Sequence, residues 1–216
     1  MTIYIEPDML IVGNQASANF AAPVFPEFSF NWVIDELDEF DKRSGDSFQV
    51  SEETKARLRV LQDYWQGKTH QDEVLANLPQ INRLAEKQGV LHRGGISMSG
   101  DGHIIPNHDF VLEVGYGGMR DIARQHLAED KDLTEEQTDF YQAVIITMEA
   151  ALNYCKRFSV LAKEEAGKTT DAKRREELLA MSEMFAHLME GKAQSFYEAV
   201  EAVYLTHLLM MIESNG

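Results

Sequence analysis

Ser99-Gly100-Asp101-Gly102-His103-Ile104-Ile105-Pro106-Asn107-His108-Asp109 is the one stretch of this chain where glycines, histidines, a proline and carboxylates crowd together. Its reading decides the fold. His103-Ile104-Ile105 and the earlier Val90-Leu91 are short apolar runs bounded by Gly and Pro, which is strand chemistry. Asp109–Val114 has helical spacing. Glycines recur at positions 89, 94, 95, 100, 102, 115, 117 and 118, so residues 89–118 read as strand and loop carried between helical blocks. Loops held on a rigid scaffold commonly carry sites. The expected fold class is therefore mainly α with a few short strands.

Outward from this centre the signals are helical. On the N-terminal side, Ser51 caps a helix whose first turn holds Glu52 and Glu53 and which Gly67 stops. Two shorter helices follow, one over Thr69–Leu78 and one from Pro79 to Gln88. Residues 30–40 suggest a short helix that ends before Gly45. Residues 1–50 are otherwise extended and irregular: Pro23 and Pro26 forbid a helix interior, and Gly13-Asn14 is turn chemistry. On the C-terminal side, residues 119–128 form one helix. The capping box Thr134-x-x-Gln137 opens the longest, with Tyr141, Val144, Ile145, Met148, Leu152, Cys155, Phe158 and Leu161 on one face. Asp171 starts another helix, and Ser195-x-x-Glu198 opens the last. No repeat or linker stands out, so the 216 residues read as one domain or a piece of one: 1–50 extended, 51–118 helices with the Gly-rich region, 119–216 helical.

The charge is −16, from 36 acids against 20 bases, which argues against nucleic acid and anionic membrane as partners because both require a basic face. No uncharged apolar run reaches the length of a membrane span; the best candidate, residues 199–212, contains Glu201 and His207. The one cysteine, Cys155, excludes an internal disulfide framework, and with no signal peptide in sight a cytoplasmic protein is expected.

Several motifs hint at chemistry without fixing it. His103 and His108, flanked by Asp101 and Asp109, have metal-ligand character, but Pro106 keeps them off a shared helix face. Gly115-Tyr116-Gly117-Gly118 resembles a phosphate loop but lacks the third glycine of a dinucleotide fingerprint and a following Lys-Ser or Lys-Thr; a flexible turn before a helix at Met119 is the plainer reading. Cys155 sits in an apolar stripe, as a small hydrophobe rather than a nucleophile.

The order of segments says more than any one of them. Ile11-Val12-Gly13-Asn14-Gln15 is followed by Trp32 and Glu36-Leu37-Asp38, then by Ser99–Pro106 with Gly102-His103 and Val111-Leu112 through Gly115. Ser195-Phe196-Tyr197-Glu198-Ala199 and Ile212-Glu213-Ser214-Asn215-Gly216 close the chain. This series resembles the pyruvate formate-lyase-like domain of glycyl radical enzymes, nearest their glycerol and diol dehydratase branch, over almost the whole chain. The resemblance implies part of a ten-stranded α/β barrel. It also implies a radical made on a C-terminal glycine by a radical S-adenosylmethionine activating enzyme and passed to a mid-chain cysteine. That thiyl takes a hydrogen atom from a small-molecule substrate, and water is eliminated or a C–C or C–N bond cleaved.

The chain departs from that pattern in lacking the cysteine motif and the Arg-Val-x-Gly segment. It is expected to be an N-terminal portion, inactive alone, that binds no cofactor itself; the glycyl radical belongs to the part not present. A homodimer or a complementing chain would be its partner. By the resemblance, His103 is a substrate-positioning or acid–base residue, because loss of a hydroxyl as water needs a proton. The alternative is that His103 braces a barrel strand. Asn107 and His108 would tune substrate choice. A second reading makes the chain a non-catalytic helical binding or assembly protein built on the same fold.

Overall fold

The computed structural model describes residues 2–16, 25–92 and 104–213. Two compact units emerge: Val24–Gly102, and Met1–Pro23 together with His103–Gly216. The described residues are helical or irregular, and none is in a strand. This corrects the expectation of a few short strands, and with it any piece of a barrel sheet among these residues. Val90 and Leu91 follow a helix end as turn and coil. Ile104 and Ile105 lie 66% and 94% exposed, so no neighbouring chain pairs with them. Strand-like composition needs a partner edge and a face to bury, and here it has neither.

In the smaller unit, α1 (Asn31–Glu36) and a single 3-10 turn (Phe40–Lys42) precede α2 (Glu52–Trp65), α3 (His70–Asn77) and α4 (Gln80–Lys87). The Ser51 hydroxyl accepts from Thr54 N–H at 3.2 Å, as an N-cap should. Thr69 and Asp72 form a reciprocal capping box on α3. The core is small: Phe30, Val33, Leu37 and Phe40 are buried, with Ile34, Val50, Leu58 and Trp65 packed on them. None of α2, α3 or α4 buries a residue, and Val60, Leu61, Tyr64, Ile81 and Leu84 are exposed. Leu58 and Trp65 thus face the core, while Leu61 and Tyr64 do not.

The larger unit is a bundle of α5 (His108–Glu129), α6 (Glu135–Lys168), α7 (Ala172–His187) and α8 (Phe196–Glu213). The Thr134–Gln137 capping box that sequence predicts is present at the start of α6. Asp171 accepts from Lys173 N–H at 2.8 Å and Arg174 N–H at 3.2 Å to cap α7. The core joins Leu152, Cys155, Phe158 and Ala162 of α6 to Leu178, Met181 and Phe185 of α7 and to Ala202, Leu205 and Leu208 of α8. Phe158 and Phe185 stack with ring centroids 5.4 Å apart.

Candidate functional site

Of the three site residues expected from sequence, His103 lies outside the described residues. Asn107 and His108 open α5. The Asn107 side-chain oxygen accepts from Phe110 N–H at 3.1 Å, so Asn107 is an N-cap first. His108 N–H donates to Pro106 C=O at 2.9 Å, and its ring Nδ1 is shielded from solvent without a hydrogen-bond partner. A buried ring nitrogen left unpaired costs desolvation energy unless another group meets it. The two residues are therefore adjacent at one helix start, with the Asp109 carboxylate in the same first turn.

Two features of the larger unit were not legible as a site in the sequence. The first is a break in α5. Gly115-Tyr116-Gly117-Gly118 marks a break between two helical stretches of α5, as the expected turn before a second helix implies; Gly115 adopts φ 70° and ψ 169°, and the second stretch begins a few residues before Met119. This backbone region is open essentially to glycine alone. The break frees main-chain groups that a regular helix would use, and the α7–α8 connection takes them. Gly117 N–H donates to Met189 C=O at 2.8 Å, and Ala193 N–H donates to Leu112 C=O at 2.9 Å. A methyl group at Gly117 would stand 2.3 Å from Glu190 C=O, and one at Gly115 would stand 2.5 Å from the carbonyls of Met189 and Gly191. Glycine is needed here for close approach of two main chains. Tyr116, between them, donates its buried hydroxyl to Thr206 of α8 at 3.0 Å.

The second feature is the seat of the N-terminal segment. Residues 2–16 run extended over the bundle with no strand partner, so side chains from the helices satisfy their main chain. Val12 N–H donates to both carboxylate oxygens of Glu201, at 3.2 and 3.1 Å. The Tyr154 hydroxyl donates to Asn14 C=O at 2.6 Å and accepts from Asn14 N–H at 3.1 Å. Tyr204 donates to Gly13 C=O at 3.3 Å, Tyr197 to Leu10 C=O, and Arg174 to Met9 and Glu6 C=O at 2.9 and 3.0 Å. Asn14 in turn folds its amide onto Thr2 and Ala16 C=O, both at 2.9 Å. Gly13 is not at positive φ; it is small because Leu205, Leu208 and Tyr204 would meet a methyl there at 3.1 Å.

The electrostatics follow from this packing. Glu201 is fully buried, and burial pushes its carboxyl up to about 8, with the Val12 N–H opposing that shift in part. Burial, reinforced by Glu201, pushes the Cys155 thiol up to about 12. Its sulfur sits 3.9 Å from the Met189 sulfur. A thiol so placed is a core hydrophobe with negligible thiolate near neutral pH. At the start of α8 the expected capping box is half formed: Glu198 N–H donates to Ser195 Oγ at 3.1 Å, while the Glu198 carboxylate turns to Gln194 N–H and to His187 Nε2, 3.0 Å away.

The whole chain, residues 1–216, matches the family described as pyruvate formate lyase-like. Among its relatives, the probable dehydratase YbiW of Escherichia coli is 37% identical over all of this chain, which spans 27% of that protein. The glycerol-bound form of the B12-independent glycerol dehydratase from Clostridium butyricum superimposes with a TM-score of 0.90 at 36% identity, over 100% of this chain and 28% of that one. A glycyl radical enzyme from Archaeoglobus fulgidus superimposes with a TM-score of 0.84 at 31% identity, again over all of this chain and 28% of its own. The chain thus spans just over a quarter of the length of the proteins it matches.

Proposed function

We propose, from the premise that the chain belongs to the pyruvate formate lyase-like family of glycyl radical enzymes, that it supplies one wall of a dehydratase or lyase acting on a small hydroxylated substrate. The observation that carries this reading is the superposition of this whole chain on 28% of a glycerol-bound dehydratase at 36% identity. A glycyl radical and the thiyl it generates would supply hydrogen-atom abstraction from a substrate C–H bond. Cys155 is no candidate for that thiyl. It is fully buried in the bundle core, and nothing the size of a substrate reaches its sulfur. The reacting cysteine and the radical glycine are therefore assigned to sequence other than these 216 residues, and the chain alone is expected to be inactive.

Within this reading His103 holds the substrate hydroxyl and delivers or stabilises the proton with which it leaves as water. Asn107 and His108, at the start of α5, shape the adjoining wall; the unpaired Nδ1 of His108 is an acceptor or donor available to a polar group there. Electron paramagnetic resonance after anaerobic activation by a radical S-adenosylmethionine enzyme tests the assignment. The isolated chain should give no glycyl radical signal and no turnover of glycerol or propane-1,2-diol, and either signal would overturn the reading. In a complete enzyme carrying this segment, His103→Ala should leave the radical signal intact and lower kcat by about 10²- to 10⁴-fold.

A further inference from the structure

One side-chain pair joins the two ends of the connection between α7 and α8. His187, in the last turn of α7, sets its ring Nδ1 3.0 Å from Met184 C=O and its Nε2 3.0 Å from Glu198 Oε1 at the start of α8. A main-chain carbonyl only accepts, so Nδ1 carries a hydrogen. A neutral imidazole then has no second N–H to offer, and the Glu198 carboxylate already accepts from Gln194 N–H through its other oxygen. An imidazolium satisfies both contacts together, and the negative end of α7 favours that charge. The Glu198 side chain is 10% exposed and that of His187 42%, so the carboxylate is sheltered while water reaches the ring.

The segment between them is strained. Met189 is buried at φ 64°, a left-handed conformation that costs a non-glycine residue energy and persists only where its surroundings hold it. The same segment fills the break of α5, through Gly117 N–H to Met189 C=O and Ala193 N–H to Leu112 C=O. Other charged groups around it have partners of their own: Glu190 meets Lys156 and Arg120, Lys192 meets Glu113, and Glu201 meets Val12 N–H. Glu183, one turn back on α7, is exposed. We propose that His187 and Glu198 form a proton-dependent clasp: the imidazolium holds residues 188–193 in the α5 break, and loss of its proton loosens them. The clasp belongs to this chain's own bundle and stands apart from the reaction proposed above.

Imidazole nitrogen NMR together with amide hydrogen exchange, on the 216-residue chain, tests it. The His187 ring should be doubly protonated at about pH 5.5 and singly protonated at about pH 8.5, an interval that brackets the charge change of histidine. Over that interval the protection of Gly117 and Ala193 N–H, taken relative to Phe158 N–H in the core of α6, should fall about tenfold. His187→Gln should abolish that step and leave both amides at the low level. His207→Gln, at an exposed ring on α8, should keep it, and so should Glu201→Gln. Should His187→Gln fail to fold, Glu198→Gln takes its place: it keeps an acceptor for Gln194 N–H without the charge and should flatten the step. A His187 ring already neutral at about pH 5.5, equal protection at both pH values, a step that survives His187→Gln or Glu198→Gln, or one that Glu201→Gln removes would each overturn the proposal.

Discussion

The two units of this chain are both helical, yet they hold together by different means. The larger one closes a core around Leu152, Cys155, Phe158, Phe185 and Leu205 and seats an extended segment on it through buried side-chain hydrogen bonds. Among its described residues the smaller one buries four apolar side chains, Phe30, Val33, Leu37 and Phe40, in and beside α1 and the 3-10 turn, and leaves Val60, Leu61 and Tyr64 of α2 and Ile81 and Leu84 of α4 facing outward. Helical structure in both therefore hides unequal stability. Capping and propensity make a helix, but burial against another element keeps it.

Substitution series read by hydrogen exchange can break this contrast. Phe158→Ala, at a fully buried ring in contact with Tyr154 and Phe185, should destabilise the larger unit by about 3–5 kcal/mol, whereas Leu61→Ala in α2 should change the smaller unit by under about 0.5 kcal/mol. Comparable losses at both sites would mean that α2 is buried after all.

Glu201 should give the next effect, through pH. Its folded carboxyl titrates near 8 against an ordinary value of 4.5, so the folded state binds this proton more tightly than the unfolded chain. The associated stability is complete below pH 4.5 and is lost as pH rises toward 8, a decline of about 5 kcal/mol. Glu201→Gln keeps an acceptor for Val12 N–H and should remove that decline, so denaturant titrations of the two proteins should diverge with rising pH. Parallel pH profiles would refute the assignment. Asp38 in the smaller unit leans the other way: the hydrogen bond from Lys55 holds it below the usual carboxylate range, so its contribution is lost as pH falls.

Glycines sharpen the contrast further. Gly115→Ala places a methyl against two carbonyls at positive φ and should cost about 3 kcal/mol, while Gly45→Ala, with open space around it, should be neutral. The smallest difference belongs to the caps. Thr134→Ala and Thr69→Ala each remove half of a capping box and should each cost about 1 kcal/mol, one in either unit. A marked inequality there would show that local helix ends depend on the core after all.

Local signals were legible in sequence because they are local. Ser51, Thr134, Asp171 and Gly67 act on main-chain groups within a few residues, and the helices begin or end there. The apolar period of α6 likewise identified Leu152, Cys155 and Phe158 as core. What failed depended on partners far along the chain. Ile104-Ile105 was read as a strand, but no neighbouring edge meets it. The break at Gly115–Gly118 was legible, but nothing in the sequence announces that residues 189–193 would claim the main-chain groups freed there. Glu201 was counted as a charge that interrupts an apolar run, and its partner Val12 is 189 residues away. For the site, the resemblance of the whole segment order placed the chain in its family, and the N-cap role of Asn107 emerged only from the structure.

That separation between Val12 and Glu201 has a consequence during biosynthesis. At roughly 5–20 residues per second, a ribosome needs on the order of 10–40 s to add the 189 positions between them. Throughout that interval residues 2–16 have neither their carboxylate acceptor nor the two tyrosines of α8 that receive them. They are thus fixed in place only after α8 is made, and nascent chains stalled before α8 should leave them open to protease.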